Sequence, residues 1–430
     1  MCAEQLCSVH AELFNFSISN SSIPFILKCS EICPVPKKKS ITEMNDLRPV
    51  ALTSIIMKSL ERLVLFKLKH FFSPVQDSMQ FAYRCKRSVE DAILVFLDNI
   101  YRHIDTPRNY CRILFVDFSS AFNTIQPHIL ASKLNNMNVN KSLTSWILEF
   151  LTNRPQYVKL NNSFSNTIFT NTGAPQGCVI SPVLFTIYTN DCAINNDHVR
   201  LIKFANDSTI QGLITNTEEH YFNHINYFTK WCDDHFLLLN VKKTKELIID
   251  FRIKKNPILP IKIKTENVEI VHSYKYLGVE IDDKLDWRLH TAAVYKKLNQ
   301  RLFFLRKLNS FSINKIILSM FYSSVLESVL SFCLCCWGGN CSGIDKNKLN
   351  TIVKKCNKIT KNNFLQINEL FEKISLRKIN YILKDLSHPF QIQLKESRLR
   401  KGRFLQIKTN RERYKKSFLP NAIKVLNEFS

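Results

Sequence analysis

Three polar side chains in two separate segments have the types and spacing for metal-assisted phosphoryl transfer. Asp117 follows the apolar run 113–116, and Asn206-Asp207 begins 89 positions later (206 − 117). Mg²⁺ prefers carboxylate oxygen, and two ions about 3.5–4 Å apart can clamp the attacking and leaving oxygens of a phosphoryl group. A single aspartate at a strand end is more often a structural cap, so the hypothesis depends on the segments occurring together.

Strands and a tight turn would bring these residues to one place. Residues 112–118 are β-branched and aromatic and predict a strand, with Asp117 near its end. Residues 200–204 and 208–214 predict two further strands, with 205–207 at the bend between them. Asn and Asp both suit a tight turn, so local turn chemistry is an alternative explanation of Asn206.

A glycine pair marks the segment between those motifs. The chain has only 8 glycines, and Gly173 and Gly177 lie in the run Gly-Ala-Pro-Gln-Gly. This clustering predicts an unusual turn or a close backbone approach. The following Ser181-Pro182 predicts a buried helix with serine as its N-cap.

Helical periodicity dominates the rest of the chain. Residues 50–72 predict an amphipathic helix with a basic face, residues 88–104 a second helix, and the pattern is helical beyond about residue 288. The end, 395–430, is basic and contains Phe404, Tyr414 and Phe418. Such aromatic residues could stack on bases.

Composition indicates a large folded protein with a polyanionic partner. The 430 residues are 45% hydrophobic, and 60 Lys and Arg against 36 Asp and Glu give a net charge of +24. Phosphate neutralisation by such cations drives nucleic-acid affinity. A solvated lysine-rich surface is the alternative.

Cysteine spacing and the amino terminus indicate a reducing compartment, the nucleus or the cytoplasm. The 14 cysteines are scattered, and the cluster 333–341 has one Cys-x-x-Cys without a second pair, which favours free thiols over zinc. No apolar signal segment follows Met1. Residues 316–337 are long and apolar enough to span a bilayer, but we interpret them as a buried helix and predict no membrane association.

Together these segments resemble the reverse transcriptase of non-LTR (LINE-type, jockey-like) retrotransposons. The resemblance covers roughly residues 25–430 and includes Gln80-Phe-Ala-Tyr-Arg84, Gly173-Ala-Pro-Gln-Gly-Cys-Val-Ile-Ser-Pro182, Lys203-Phe-Ala-Asn-Asp207 and Tyr276-Leu-Gly278. It implies an α+β right-hand polymerase with fingers, palm and a helical thumb, and an RNA-directed DNA polymerase activity. The implied partners are an RNA template, a DNA primer and dNTPs, with Mg²⁺ or, alternatively, Mn²⁺ as cofactor.

The resemblance also implies a division of the chain. An N-terminal entry segment would occupy residues 1–44, fingers and palm 45–285, a thumb-like region 286–385 and a basic tail 386–430. The endonuclease domain that usually precedes such a polymerase is expected to be missing, and the oligomeric state is left open.

The resemblance implies a role for individual residues. Asp117, Asn206 and Asp207 would be the catalytic residues, with Asp117 and Asp207 as the metal ligands. The nucleotide would be contacted by Phe122, Gln176, Gly177 and Arg48. Lys58, Arg84, Arg87, Tyr276 and Gly278 would contact nucleic acid. Phe122 would be the steric gate against the sugar's 2′ position, with a core aromatic as its alternative, and the cations have a solvated surface charge as theirs.

Asn206 departs from the family pattern, which has aspartate at this position. A carboxamide keeps one coordinating oxygen and loses the negative charge, which predicts weakened catalysis in this chain. Three functions therefore stay open: an RNA-directed DNA polymerase, a nucleic-acid-binding protein without catalysis, and a remnant of a mobile element. Leu27, where the family usually has an aromatic residue, is a second departure.

Overall fold

The palm is built on a mixed sheet with β3 at its centre. The computed structural model describes residues 3–255, 257–397 and 403–428. The strand order is β12-β9-β3-β8-β7, in which β12 and β9 are parallel and the other neighbours are antiparallel. The palm strands are β3 (Tyr110–Val116), β7 (Val199–Phe204), β8 (Asp207–Ile214), β9 (Lys245–Ile249) and β12 (Glu269–Val271).

The alternation of side chains along β3 divides the core in two. Cys111, Ile113 and Phe115 pack into the core cluster that contains the long palm helix and the C-terminal helices. Leu114 and Val116 pack into the cluster formed by the helices on the other face. Successive residues of a strand point to opposite faces, so both faces of β3 are covered and every residue of this strand is buried. The palm helices are α4 (Val89–Ile104), α5 (Pro127–Asn136), α6 (Lys141–Leu151), α7 (Ser181–Tyr188) and α8 (Glu219–Asp234).

A second sheet forms the fingers and begins earlier than the sequence indicates. Its order is β2-β1-β4-β5, with β6 also paired to β4. The division at residue 44 is wrong, because β1 lies before it and pairs with β2 and β4 on the other side. The elements are α1 (Ala3–Ser19), α2 (Phe25–Lys28), β1 (Ser30–Pro36), β2 (Leu47–Leu52), α3 (Ile55–Phe72), β4 (Arg154–Leu160), β5 (Ser163–Phe164) and β6 (Ile168–Thr170).

Two small hairpins complete the palm, and helices follow them. The hairpins are β10 (Lys262–Ile263) with β11 (Glu266–Asn267), and β13 (Ser273–Tyr276) with β14 (Val279–Asp282). The later helices are α9 (Arg288–Ser310), α10 (Lys315–Phe321), α11 (Ser328–Ser331), α12 (Leu334–Trp337), α13 (Gly343–Thr360), α14 (Ile367–Leu383), α15 (Gln391–Ser397), α16 (Glu412–Lys415) and α17 (Phe418–Glu428).

The apolar stretch 316–337 is not the single buried helix that its composition predicts. A π-helical turn, Tyr322–Glu327, separates α10 from α11, and Cys333 has φ +49 before α12. By length and a hydropathy of 1.7 alone, Lys315–Trp337 is the one described stretch suited to a membrane span. Only 28% of the 18-residue part of this stretch that has this mean hydropathy is buried.

The C-terminal tail is part of the core, which corrects its interpretation as a separate basic segment. Phe404, Tyr414 and Phe418 are buried in the same cluster as α4 and the thumb helices. Aromatic rings that pack internally cannot stack on bases, so the predicted stacking role is wrong. The described cysteines, including those of the 333–341 cluster, are free thiols.

Candidate active site

Asp117 and Asp207 lie side by side on adjacent strands. The antiparallel register of β3 and β8 ends with Val116 opposite Ser208, so the next pair is Asp117 opposite Asp207. Directly opposed residues in such a pair have Cα atoms about 4.5–5.5 Å apart. The structure therefore brings together the two carboxylates that the sequence predicts as metal ligands.

The surroundings of the two carboxyl groups favour their protonated forms. Burial raises the pKa of Asp207, and the negative charge of Asp117 raises it further. Burial also raises the pKa of Asp117, against the positive charges of Lys243 and Lys37. These two lysines belong to loops beside the site, and no role was predicted for either from the sequence.

Hydrogen bonds to its backbone hold Asp117 in place. Its N–H donates to Thr244 Oγ1 at 3.3 Å, and its carbonyl accepts from the N–H of Asn240 at 2.9 Å. Its carboxylate, like that of Asp207, accepts no hydrogen bond from another described side chain or backbone group. Two adjacent carboxylates without internal partners suit a divalent cation, which would offset their repulsion.

Asn206 occupies a strained two-residue turn. β7 ends at Phe204 and β8 starts at Asp207, so only Ala205 and Asn206 form the turn, one residue fewer than predicted. Ala205 has φ +57, whereas Asn206 is not among the residues of positive φ. A positive φ at the first position alone is typical of a type II′ hairpin turn, in which alanine is strained.

Gln80 clamps this turn from a neighbouring segment. Its buried Oε1 accepts from the N–H of Ala205 at 3.1 Å and from that of Ala82 at 3.0 Å. On either side of it, Phe81 N–H donates to the carbonyl of Lys203, and Lys203 N–H donates to the carbonyl of Met79, both at 2.9 Å. Gln80 therefore positions the turn that precedes Asp207. Its place in a family-like segment was visible in the sequence, but this contact was not.

The glycine segment approaches two other backbones closely. Gly173 has φ +74, and a Cβ there would lie 2.7 Å from the Asn123 Cα. Gly177 has φ +108, and a Cβ there would lie 2.8 Å from the carbonyl oxygen of Ala51. The carbonyl of Gln176 accepts from the N–H of Ala51 at 2.6 Å. The predicted close approach is confirmed at both glycines.

Glu61 replaces serine as the group that caps helix α7. The N-cap of α7 is Ile180, not Ser181 as predicted. The buried Glu61 Oε2 accepts from the N–H groups of Val179 at 2.6 Å and Ile180 at 3.0 Å. Burial raises the pKa of Glu61, and these hydrogen bonds lower it in part. Helix α3 thereby anchors the segment that contains Gln176 and Gly177.

The other predicted nucleotide contacts lie around this segment. Phe122 is half-buried, its ring is 5.1 Å from that of Phe185, and its carbonyl accepts from the N–H of Ala174 at 2.8 Å. Arg48 is exposed on β2, and Gln176 is half-buried. Their contacts with a nucleotide stay predictions.

The structure rejects two of the predicted nucleic-acid contacts. The buried Arg87 guanidinium forms an ion pair with Asp385 and donates to Ser387 Oγ at 3.0 Å, so it joins the palm to the C-terminal region. The Tyr276 ring is buried 4.9 Å from that of Phe96. Both side chains are inaccessible to nucleic acid.

The remaining predicted contacts stay accessible. Gly278 is exposed and lies with Leu277 in the β13–β14 turn, where both have positive φ, as a type I′ turn requires. Lys58 is half-buried on α3. Arg84 is half-buried and donates to the carbonyl of Asp77 at 2.7 Å, which orders the preceding loop.

Among the described residues, no group of three or more His, Cys, Asp and Glu side chains is arranged to hold a metal. At the turn before Asp207 the reason is Asn206, whose neutral carboxamide leaves Asp117 and Asp207 as a pair of carboxylates.

Substituting Gly177 by alanine is expected to destabilise the protein by more than about 1 kcal/mol, because its φ is positive and the added Cβ would meet the Ala51 carbonyl. Urea unfolding would measure the change. Gly343→Ala is the matched control, since a Cβ there meets nothing within 4 Å. Equal stability of the two variants would contradict the close approach.

Two adjacent aspartates on a mixed sheet, beside a glycine segment anchored to a second sheet, are the arrangement expected of a polymerase palm domain. Residues 35–281 match the family model described as reverse transcriptase (RNA-dependent DNA polymerase), which is more than half of the 430 residues. The chain belongs to this family. A model described as alkylated DNA repair protein alkB homolog 8, N-terminal, matches only residues 287–328.

The curated relatives belong to mobile elements. The chain is 23% identical over 270 residues to a probable RNA-directed DNA polymerase from transposon BS of Drosophila melanogaster, covering 60% of this chain and 30% of the relative. It is 23% identical over 294 residues to the polymerase from mobile element jockey of Drosophila funebris, covering 66% and 31%. The resemblance to non-LTR reverse transcriptases is confirmed, and the chain spans about a third of the length of these relatives.

Solved structures with a similar chain trace include telomerases. The telomerase of Candida albicans, in complex with a TWJ fragment of telomeric RNA, matches with a TM-score of 0.42 at 12% identity, covering 88% of this chain and 63% of that chain. Apo telomerase from Candida tropicalis gives a TM-score of 0.41 at 11% identity, covering 97% and 70%.

Proposed function

We propose that this chain binds an RNA template paired with a DNA primer and positions a dNTP for addition to the primer's 3′ end. The observation that carries the proposal is the pairing of Asp117 with Asp207 at the end of β3 and the start of β8, with raised pKa values and with carboxylates that accept no hydrogen bond from the described residues. In the reaction the primer 3′ oxygen bonds to the α-phosphorus and pyrophosphate leaves.

Asp117 and Asp207 would hold divalent cations, Mg²⁺ or Mn²⁺, which would neutralise charge on the attacking and leaving oxygens. The segment of Gln176 and Gly177 and the Phe122 ring would define the nucleotide's place. Asn206 is expected to weaken cation binding at this site, because its carboxamide adds no negative charge to the two carboxylates.

The test of catalysis is extension of a DNA primer on an RNA template, with Asp117→Asn as the control that removes one of the two carboxylates. We expect weak extension by the native chain and none by the control. Equal extension by both proteins would show that Asp117 is not a catalytic residue.

A nucleic-acid-binding function without catalysis is the second candidate. Asn206 favours it over the polymerase, and the net charge of +24 favours it over a remnant without function. Binding with no extension under any metal condition would support this candidate over the first.

Binding of an RNA–DNA hybrid is expected to weaken steeply as salt rises. Each neutralised phosphate releases counterions, so a plot of log affinity against log salt should have a slope of several units if many phosphates are contacted. Fluorescence anisotropy between about 50 and 200 mM salt would measure it. An affinity that stays constant over this range would contradict binding through the basic surface.

A further inference from the structure

A large cavity lies at the end of the palm opposite the catalytic aspartates. It has a volume of about 1050 Å³ and is lined by the loop that precedes β3, the segment after β9, the start of α13 and residues 411–416. Tyr110 and Asp117 are separated by the seven-residue length of β3, which at about 3.3 Å per residue is about 23 Å. This palm-end cavity is therefore separate from the catalytic cleft.

The acidic side chains that line the palm-end cavity already have hydrogen-bond or ion-pair partners. The two Asp105 oxygens accept from the N–H groups of Asn410 and Arg411, both at 2.8 Å. Asp286 forms an ion pair with Arg288 at 2.6 Å. Glu412, likewise, pairs with lysines of its own helix. Asp286 and Glu412 are therefore already paired with cations, whereas backbone N–H groups stabilise the Asp105 carboxylate.

Four further cations line the palm-end cavity. Among the described residues, no carboxylate lies within ion-pair distance of Arg108, Lys346, Arg411 or Arg413, all of which line the cavity. Burial lowers the pKa of Lys346 and that of Arg413, and the negative charges of Glu372 near Lys346 and of Asp282 and Asp286 near Arg413 offset this only in part. The cavity thus has an excess of positive charge that an anion would offset.

A flat platform stands beside these cations. The Arg413 guanidinium lies over the Phe251 ring, 3.8 Å from its centroid, and Asn340 Nδ2 donates to the Arg413 carbonyl at 3.0 Å. Phe251 and Ile344 are exposed. Cations that track phosphates, next to aromatic and guanidinium planes on which bases stack, are the combination that binds single-stranded nucleic acid.

We propose that the palm-end cavity binds the phosphates of a single-stranded nucleic acid outside the catalytic cleft. A strand entering it would place phosphates near Arg108 and Arg411 at the rim and a base on the Arg413–Phe251 platform. The protein would then hold two nucleic-acid segments at once, the paired one in the cleft and an unpaired one at the far end of the palm. This goes beyond the proposed polymerase function and needs no catalysis.

The test is binding of a fluorescent ten-residue oligouridylate to protein already saturated with an RNA–DNA hybrid. We expect one further RNA to bind per protein, and the Arg108→Glu/Arg411→Glu variant to bind it at least about tenfold more weakly while its affinity for hybrid changes less. Both arginines are exposed, so the substitutions leave the core intact. Each lost phosphate contact also lowers the salt slope, which gives a second readout.

The matched control is Lys141→Glu/Lys230→Glu, which changes the charge equally at exposed positions on α6 and α8. Those helices pack on the face of the palm sheet that carries Leu114 and Val116. No oligouridylate bound to the saturated protein, or equal weakening by both double variants, would overturn the proposal. Complete displacement by ATP at equal phosphate concentration would also overturn it, because the cavity would then take free polyphosphates. Loss of hybrid binding alone would count against the polymerase function and not against this site.

Discussion

Replacing Asn206 by aspartate is expected to raise RNA-templated primer extension in Mg²⁺ by on the order of 10²-fold. Removing one charge-stabilising group from a catalytic site commonly costs about 10²–10³ in rate, and this substitution restores such a group. The position is suited to the change, because Asn206 lies in the turn beside Asp207 and its carboxamide makes no hydrogen bond within the described part of the chain. Single-turnover extension rates of the two proteins would measure the effect.

The control is Asn216→Asp, which adds the same charge at an exposed position beyond the other end of β8. It should leave extension unchanged. Mn²⁺ accepts neutral oxygen ligands more readily than Mg²⁺. Replacing Mg²⁺ by Mn²⁺ should therefore reduce the difference in extension rate between the native chain and the Asn206→Asp variant. Native extension in Mg²⁺ as fast as that of the variant would contradict the argument from the lost carboxylate.

Replacing Arg112 by methionine is expected to lower the free energy of unfolding by about 3–5 kcal/mol, the range for breaking a buried ion pair. Arg112 and Glu246 are both 0% exposed, and they form two hydrogen bonds, of 2.8 Å and 2.9 Å, across β3 and β9. The substitution would leave the Glu246 carboxylate buried without its counter-charge. Denaturant unfolding at neutral pH would measure the loss.

Two comparisons distinguish this mechanism from a general packing defect. The Arg112→Met/Glu246→Leu double variant should recover part of the loss, because the one partner carboxylate that remains is Glu218, which lies 2.7 Å from Arg112 in the native chain and is 24% exposed to water. Burial already raises the pKa of Glu246, and loss of Arg112 would raise it further. A raised carboxyl pKa adds stability as the pH falls, so the Arg112→Met defect should be smaller at pH 5 than at pH 8.

The control for this prediction is Lys264→Met, which breaks the exposed ion pair with Asp233 and should cost less than about 1 kcal/mol. A similar loss for Lys264→Met and Arg112→Met would mean that burial does not determine the value of the Arg112 pair. A loss that is independent of pH would mean that Glu246 is not left charged.

Local patterns were sufficient to predict the strands and the turn that carry Asp117 and Asp207. Asp117 ends an apolar run, and the turn at Asn206 is flanked by two such runs, so strand periodicity and turn chemistry placed both motifs without long-range information. The close backbone approach at Gly173 and Gly177 was also predictable from the sequence, because a residue without Cβ is needed where the backbone is left-handed or crowded.

Contacts between distant segments determined the side-chain partners and the burial that local sequence patterns could not predict. Gln80 reaches the turn from more than 120 residues away, and Glu61 caps α7 from a similar distance, so neither could be assigned from its neighbours. The family resemblance implied that Arg87 contacts nucleic acid, but its guanidinium is buried in an ion pair with Asp385. The same packing buries Tyr276 and the tail aromatics. Residue type determines which chemistry a side chain can perform, whereas burial and the partner across the fold determine whether a substrate can reach it.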